Sequence, residues 1–192
     1  MTARLILICH GSTDAVRKSA FPADEPLDDH GRREGAALAG RLPRAELCWV
    51  SPELRTRQTA ETLRLEAKPL PLLRDCDYGR WSGRSFDDVR AREPQAVATW
   101  LTDPAAAPHG GESITRLIGR VAQWLAGELL HHRQSIVVTH AAIIRAAIVH
   151  AIEARPQSFW RIDIAPLSCT RLSGNEGRWN LVSAGCSAPA VA

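Results

Sequence analysis

The sequence predicts an α/β fold with a mostly parallel central sheet, and three observations carry this prediction. Segments typical of strands alternate with segments typical of helices along the chain. Residues 4–9 (RLILIC) and 135–139 (SIVVT) are nearly continuous apolar runs, as in parallel strands that are buried on both faces. The length of 192 residues suits a single domain with a substantial core. We therefore expect one domain over residues 1–185 and a disordered tail over 186–192.

The predicted elements follow one another in strand–helix order. In the first half they are a strand at residues 4–9, a helix at 30–42, a strand at 46–51, a helix at about 52–65 and an extended segment at 70–73. In the second half they are short helices over 84–101 interrupted by Pro94, a helix from Ser113 to about His132, a strand at 135–139, a helix at 141–152 and a hairpin with its turn at 174–177 (GNEG).

The composition excludes several classes of protein. Hydrophobic residues make up 45% and charged residues 23%, as in ordinary globular proteins. The net charge of +3 comes from arginines interleaved with acids, which disfavours a nucleic-acid partner. No apolar run is long enough for a membrane span or a signal peptide, so we expect a cytoplasmic protein without a membrane partner.

The five cysteines disfavour both a disulfide framework and a zinc site. They are Cys9, Cys48, Cys76, Cys169 and Cys186. Their number is odd and no pair has CxxC spacing.

Polar side chains follow three of the predicted strands. His10 comes directly after the first strand, Ser51 ends the second with Arg55 in the next helix, and His140 follows the strand at 135–139. Ligands bind beyond the carboxyl ends of parallel strands, so we expect these side chains to meet at one edge of the sheet.

The chemistry of such a group suits a phosphate. Arginine presents a planar fork to phosphate oxygens, and helix N-termini add free N–H groups and partial positive charge. A neutral imidazole is a competent nucleophile, which makes a phosphohistidine intermediate plausible. A carboxylic acid at the edge of the pocket would protonate the leaving group.

Six motifs, in order, resemble those of the histidine phosphatase superfamily, also called phosphoglycerate-mutase-like. They are LILICHGST at 5–13, PLDDHGRREGAALAGRL at 26–42, SPELRTRQTAETL at 51–63, LRDCDYGRWSG at 73–83, HGGES at 109–113 and VVTHAAIIRAAI at 137–148. Each motif alone is weak, whereas six in the right order are specific.

The resemblance implies a three-layer sandwich and a role for each matching residue. His10 is the nucleophile, Arg55 and His140 bind the phosphoryl group, and Asp75 is the general acid, with Asp77 as its competitor. Backbone or side-chain groups of Cys9, Gly11 and Ala141 complete the phosphate-binding set. The family uses no metal, and no cofactor is expected.

Three departures from the family pattern affect this interpretation. Cys9 replaces an arginine that normally holds phosphoryl oxygens, Val16 replaces an asparagine, and Asp75 is one methylene shorter than the common glutamate. Loss of one preorganised donor costs roughly 3–4 kcal/mol, or about 10²–10³ in rate. The arginines whose positions allow compensation are Arg17, Arg80 and Arg84.

Cys9 itself does not fit a cysteine phosphatase. That chemistry requires C-x5-R, but Ala15 lies six residues after Cys9 and the first arginine is Arg17. A small buried residue at the end of a strand is the better interpretation.

The sequence thus predicts a metal-independent phosphatase that acts on a small phosphorylated metabolite. The alternative is a catalytically impaired member that binds a phosphorylated ligand or partner. A mutase is disfavoured because the chain is short and lacks room for the insertions that close over a mutase substrate. A homodimer is compatible with this prediction.

Overall fold

A computed structural model of the chain describes residues 2–186 and contains a six-stranded sheet. Its strands are β1 (Ala3–Cys9), β2 (Leu47–Val50), β3 (Lys68–Pro69), β4 (Gln134–Thr139), β5 (Cys169–Asn175) and β6 (Arg178–Cys186), in the order β3-β2-β4-β1-β5-β6. The first four are parallel to one another, whereas β5 and β6 form an antiparallel hairpin beside β1. The predicted α/β fold with a mostly parallel sheet is confirmed.

Seven α-helices lie within residues 2–186. They are α1 (Asp14–Arg17), α2 (Asp29–Ala37), α3 (Leu54–Thr62), α4 (Phe86–Arg92), α5 (Pro94–Thr102), α6 (Ile114–Leu125) and α7 (Ala141–Ala151). Short 3₁₀ helices cover Pro71–Leu73, Gly79–Trp81, Glu128–His131 and Pro156–Arg161. Over the same residues, every helix is too short or too polar to cross a membrane.

Side chains alternate along each strand, so the two faces of the sheet pack against two different helical layers. On one face, Leu5 and Leu7 of β1 belong to a core cluster that contains residues of α6 and α7. On the other face, Ile6 and Ile8 are buried together with Ala60 of α3. The expected three-layer sandwich is therefore present.

The carboxyl edge of the sheet assembles the predicted site. The β1–β4 register pairs Cys9 with Thr139, which makes His10 and His140 neighbours. The N–H of His10 donates to the carbonyl of Thr139 at 2.9 Å. On the other side of β4, the N–H of Ser51 donates to the carbonyl of Val138 at 3.0 Å.

Several observed boundaries differ from the predicted ones, and α2, predicted to end at residue 42, ends at Ala37. Of residues 70–73, only Leu70 is extended, because Pro71 opens a 3₁₀ turn that buries Leu73 in the core. The helix after Ser113 ends at Leu125, two residues before Gly127, and Glu128–His131 is a separate 3₁₀ turn. Cys186, the first residue of the predicted tail, ends β6, while 187–192 lie outside the described residues.

Candidate active site

His10 is a buried and neutral histidine. Its Nδ1 lies 2.8 Å from the carbonyl oxygen of Gly11. A carbonyl only accepts hydrogen bonds, so Nδ1 carries the proton and Nε2 keeps its lone pair. Burial, followed by the nearby charges of His140 and Arg55, lowers the pKa of His10 to about 3. The ring is therefore neutral at neutral pH, with its single proton on Nδ1.

The loop after His10 is held by helix α3. The N–H of Gly11 donates to Oγ1 of Thr59 at 3.0 Å, and that hydroxyl donates to the carbonyl of Arg55 at 2.7 Å. Both backbone groups of Gly11 thus have partners within the protein, and they fix the carbonyl that orients His10. A contact between Gly11 and phosphate stays a prediction.

A second support for this loop comes from the start of α2. Asp28 caps the helix by accepting the N–H of Gly31 at 2.7 Å, and its other oxygen accepts the Ser12 hydroxyl at 2.8 Å. The backbones of Gly31 and Ser12 approach closely, since a Cβ added to Gly31 would lie 2.7 Å from the Ser12 nitrogen. The glycine of the PLDDHG segment therefore permits this contact.

Arg55 is a buried guanidinium with only 1% of its surface exposed. Its Nη2 donates to Oδ2 of Asp75 at 2.7 Å, and its Nη1 donates to the carbonyl of Ala23 at 2.6 Å. The Nε–H is buried and has no acceptor among the described residues. A buried donor of this kind is suited to an oxyanion.

His140 faces His10 across the site, with ring centroids 5.4 Å apart. Its Nε2 lies 2.9 Å from Oγ of Ser51 and 3.1 Å from Oε2 of Glu53. Its Nδ1 is buried without a hydrogen-bond partner in residues 2–186, and lies 3.4 Å from Oδ2 of Asp75. The Nδ1 edge is thus the one that points toward the other site residues.

Asp75 lies between Arg55 and His140, because its Oδ2 is 2.7 Å from Nη2 of Arg55 and 3.4 Å from Nδ1 of His140. Burial opposes its ionisation, but the charges of His140 and Arg55 outweigh burial and lower the pKa of the carboxyl. Asp77, the competing candidate, is exposed, and its side chain accepts the N–H of Gly79 in a turn. The structure therefore brings Asp75, rather than Asp77, into contact with Arg55 and His140.

The segment that carries Asp75 is fixed by Arg120 of α6. This guanidinium donates to the carbonyls of Leu72 at 2.7 Å and Arg74 at 3.0 Å, and it is paired with Glu112 at 2.6 Å. Glu112 belongs to the HGGES motif, so this loop contacts the segment that carries Asp75 through the Arg120 side chain. Its contribution is to position a neighbouring segment.

Glu53 is a site residue that the sequence prediction missed. Its Oε1 accepts the N–H of Asp75 at 3.1 Å, and its Oε2 contacts His140 and accepts the Ser51 hydroxyl. Burial opposes ionisation, but the hydrogen bond and charge of His140 and the bond from Ser51 hold the pKa of Glu53 at about 2. An available signal was an acid two residues beyond a strand end, at the N-cap of α3.

Cys9 is a buried thiol and not an activated nucleophile. It is 2% exposed, and burial together with the Asp75 carboxylate raises its pKa to about 12. The N–H of Ala141 and the charge of Arg145 oppose that shift without reversing it. A neutral thiol is only a weak hydrogen-bond donor. Direct contacts of Cys9 and Ala141 with phosphate stay predictions.

The three arginines whose positions in the sequence allow compensation for Cys9 have carboxylate partners. Arg17 is paired with Asp14, while Arg80 and Arg84 are both paired with Glu93. These ion pairs engage all three guanidinium groups with carboxylates. Among residues 2–186, moreover, no group of three or more potential metal ligands is arranged to hold an ion.

Comparisons with known proteins identify a family and a shared fold. The family model described as "Histidine phosphatase superfamily (branch 1)" matches residues 5–187. The chain is 30% identical over 178 residues to glucosyl-3-phosphoglycerate phosphatase of Mycolicibacterium vanbaalenii, covering 83% of this chain and 78% of that protein. The solved structure of mycobacterial glucosyl-3-phosphoglycerate phosphatase complexed with VO3 superposes with a TM-score of 0.83 at 28% identity, covering 96% of this chain and 100% of that one.

Other relatives are considerably longer than this chain. The "bifunctional protein" of Mycobacterium tuberculosis is 29% identical over a 178-residue alignment, which covers 86% of this chain but only 49% of that protein. The chain thus spans about half the length of these relatives.

Proposed function

We propose a function from the premise that the chain belongs to branch 1 of the histidine phosphatase superfamily. The protein is a metal-independent phosphatase that hydrolyses a small phosphomonoester through a phosphohistidine intermediate. The observation that carries the proposal is the buried neutral ring of His10, whose Nδ1–H is bound by Gly11 and whose Nε2 keeps its lone pair. Relatives named for a phosphorylated metabolite support a small phosphorylated substrate.

In the first step, Nε2 of His10 attacks phosphorus and the bond to the ester oxygen breaks. The leaving oxygen takes a proton from Asp75, which yields the free alcohol. The phosphohistidine ring keeps its Nδ1–H, and the Gly11 carbonyl stabilises the positive charge on that ring. Arg55 and His140 neutralise the phosphoryl oxygens, which is the main requirement of phosphoryl transfer.

In the second step, water attacks phosphorus and Asp75 takes its proton. The N–P bond breaks, inorganic phosphate leaves, and His10 returns to the neutral form with its proton on Nδ1. Asp75 thus ends protonated, ready to serve as the acid in the next cycle or to release its proton to solvent.

Asp75 must gain a proton before it can act as an acid, because its pKa is lowered in the free protein. The phosphoryl group supplies the reason for that change. When its oxygens take the donors of Arg55, Asp75 loses a cationic partner and acquires an anionic neighbour. Both effects raise a carboxyl pKa.

Hydrolysis of p-nitrophenyl phosphate in the presence of EDTA tests the proposal. We expect activity in the wild type, its loss in His10→Ala, and no change in the matched control His30→Ala, since His30 is exposed and paired with Glu34. Phosphorus NMR of quenched enzyme should show an acid-labile phosphoprotein signal that His10→Ala lacks. Activity that depends on added metal contradicts the mechanism.

The second candidate function is phosphate binding with little turnover. The observation that favours it is the Arg55–Asp75 ion pair beside a neutral Cys9, which leaves few free cations for a dianion. Activity that is absent in the wild type and appears in Cys9→Arg would support this alternative. The expected gain from one restored donor is about 10²–10³ in rate.

A further inference from the structure

Glu53 is a carboxylate that the proposed reaction leaves without a role. Its Oε2 lies 3.1 Å from Nε2 of His140 and accepts the hydroxyl proton of Ser51. Its Oε1 accepts the backbone N–H of Asp75 at 3.1 Å. One side chain thus joins the start of α3, the second histidine and the segment that carries the proposed acid.

These contacts determine whether Nε2 of His140 carries a proton. Ser51 has one hydroxyl proton, which it donates to Glu53, so its oxygen is an acceptor toward His140. The ionised carboxylate of Glu53 is also only an acceptor. Both neighbours of Nε2 therefore require a proton on that nitrogen.

The opposite edge of the ring has its own requirement. Nδ1 of His140 is buried without a hydrogen-bond partner in the described chain and points toward Asp75. A phosphoryl oxygen is an acceptor, so a phosphoryl group there requires a proton on Nδ1 as well. Only the imidazolium form satisfies both edges at once.

We propose, on the basis of the proposed function, that Glu53 is a positioning residue that keeps His140 as an imidazolium with its Nδ1–H directed at the phosphoryl group. The charged and titratable groups that face His140 are Glu53, Asp75, Arg55 and the ring of His10. Two carboxylates oppose one guanidinium, because His10 is neutral. This balance favours positive charge on His140 and offsets the absence of charge at Cys9.

Glu53 also fixes the orientation of the ring. The ring of His140 is completely buried, and its hydrogen-bond partners are on the Nε2 edge. Without the carboxylate, Ser51 alone would hold that edge, and its hydroxyl can rotate and donate instead of accept. A ring that accepts the Ser51 proton at Nε2 is neutral and contributes no charge to the phosphoryl site.

Histidine-ring ¹⁵N NMR between pH 5 and pH 9 tests the proposal without any substrate. His140→Asn assigns the signals, and the wild type should show both nitrogens protonated at pH 7. Glu53→Gln, which keeps the shape but loses the charge, should move the midpoint of this transition down by about one pH unit or more. The matched control is Glu61→Gln, an exposed residue on the same helix that should leave the signals unchanged.

Orthovanadate binding at pH 7.5 gives a second readout. We expect about tenfold weaker binding in Glu53→Gln and a larger loss in Glu53→Leu, with Glu61→Gln equal to the wild type. In turnover assays the loss should fall on kcat more than on KM, and lowering the pH should partly restore the Glu53→Gln rate, which a purely structural role would not produce.

Three results would overturn the inference. They are a neutral His140 ring in the wild type at pH 7, an unchanged midpoint in Glu53→Gln, and tighter vanadate binding in Glu53→Gln through relief of repulsion. The first is measured on the wild-type protein, so misfolding of Glu53→Gln does not rescue the proposal. If the NMR and vanadate results hold while the wild type hydrolyses no phosphomonoester, the proposed function fails and the role of Glu53 stands.

Discussion

The carboxylate of Asp75 accepts a 2.7 Å hydrogen bond from Nη2 of Arg55. Asp75, the proposed proton donor, is thus hydrogen-bonded to Arg55, the proposed phosphate-binding group. In the proposed mechanism, binding of a phosphoryl group releases Asp75 from Arg55, so that an anionic ligand replaces an anionic side chain. This exchange links substrate binding to the protonation of the acid.

Asp75→Asn should separate binding from turnover. Removing the charge frees Arg55 from its ion pair, so we expect orthovanadate to bind at least as tightly as in the wild type. Hydrolysis should fall by about 10²–10⁴, because the amide cannot transfer the proton. Asp77→Asn is the matched control, since an amide oxygen can still accept the N–H of Gly79. The assignment of the acid would be wrong if Asp77→Asn lost activity and Asp75→Asn kept it.

The ring of His10, the proposed nucleophile, should remain neutral well below neutral pH. Burial and the charges of His140 and Arg55 lower the pKa of His10 to about 3, so its ring should stay neutral with the proton on Nδ1 from pH 8 to pH 4.5. Histidine ¹⁵N NMR measures this directly, with His10→Asn to assign the signal. A decrease of kcat/KM on acidification within this range should therefore occur without any change in the His10 signal. A ring that gains a proton above pH 5.5 contradicts the burial argument.

The convergence of the two histidines was predictable from the sequence. His10 and His140 each follow an apolar strand directly, and parallel strands bring such positions to one edge. What the pattern does not contain is the strand order. The direct β1–β4 pairing, which places these residues side by side, depends on the packing of all six strands.

Side-chain partners were harder to predict than backbone positions. Glu53 was missed because its importance depends on its contacts with His140 and with the Asp75 backbone, which are far away in sequence. Arg80 and Arg84 were considered as compensating cations because of their positions, yet both reach Glu93. Long side chains have many rotamers, and the sequence alone does not select among them.

Cys9 should resist alkylation under native conditions. Its thiol is buried, and its pKa of about 12 leaves almost no thiolate at pH 8, whereas Cys186 is exposed. We expect iodoacetamide to modify Cys186 completely before any adduct forms on Cys9, as measured by peptide mass spectrometry. In Cys186→Ser the early adduct should disappear. Rapid modification of Cys9 with parallel loss of hydrolysis would instead indicate a reactive thiol in the site.

Glu53 should make the fold sensitive to acid. Its pKa is about 2 when folded and 4.5 as a free group, so its contribution to stability is complete above about pH 4.5 and is lost as the pH falls toward 2. Between pH 6 and pH 3 the wild type should lose roughly 2 kcal/mol that Glu53→Gln does not lose. Urea unfolding at the two pH values measures the difference, with Glu61→Gln as the control. Equal pH dependence in wild type and Glu53→Gln would refute the contact with His140 in solution.

Gly31→Ala tests whether the start of α2 supports the nucleophile loop. The added Cβ would lie 2.7 Å from the backbone nitrogen of Ser12 and closer still to its carbonyl oxygen. The backbones of Gly31 and Ser12 cannot move apart without disturbing the packing around them. We therefore expect a loss of about 1–3 kcal/mol in the free energy of unfolding. The shift should also move the Gly11 carbonyl that orients His10, and thereby lower kcat.

Gly119→Ala is the matched control for that substitution, because it lies in α6 with open space around the added Cβ. Alanine is preferred over glycine in a helix, so the control should gain about 0.5–1 kcal/mol. Urea unfolding and p-nitrophenyl phosphate hydrolysis measure both effects on both variants. If Gly31→Ala unfolded at the same urea concentration as the wild type, the close approach of Gly31 to Ser12 would not contribute to the stability of the loop. If it lost stability but kept the full rate, the contact would support the fold without orienting His10.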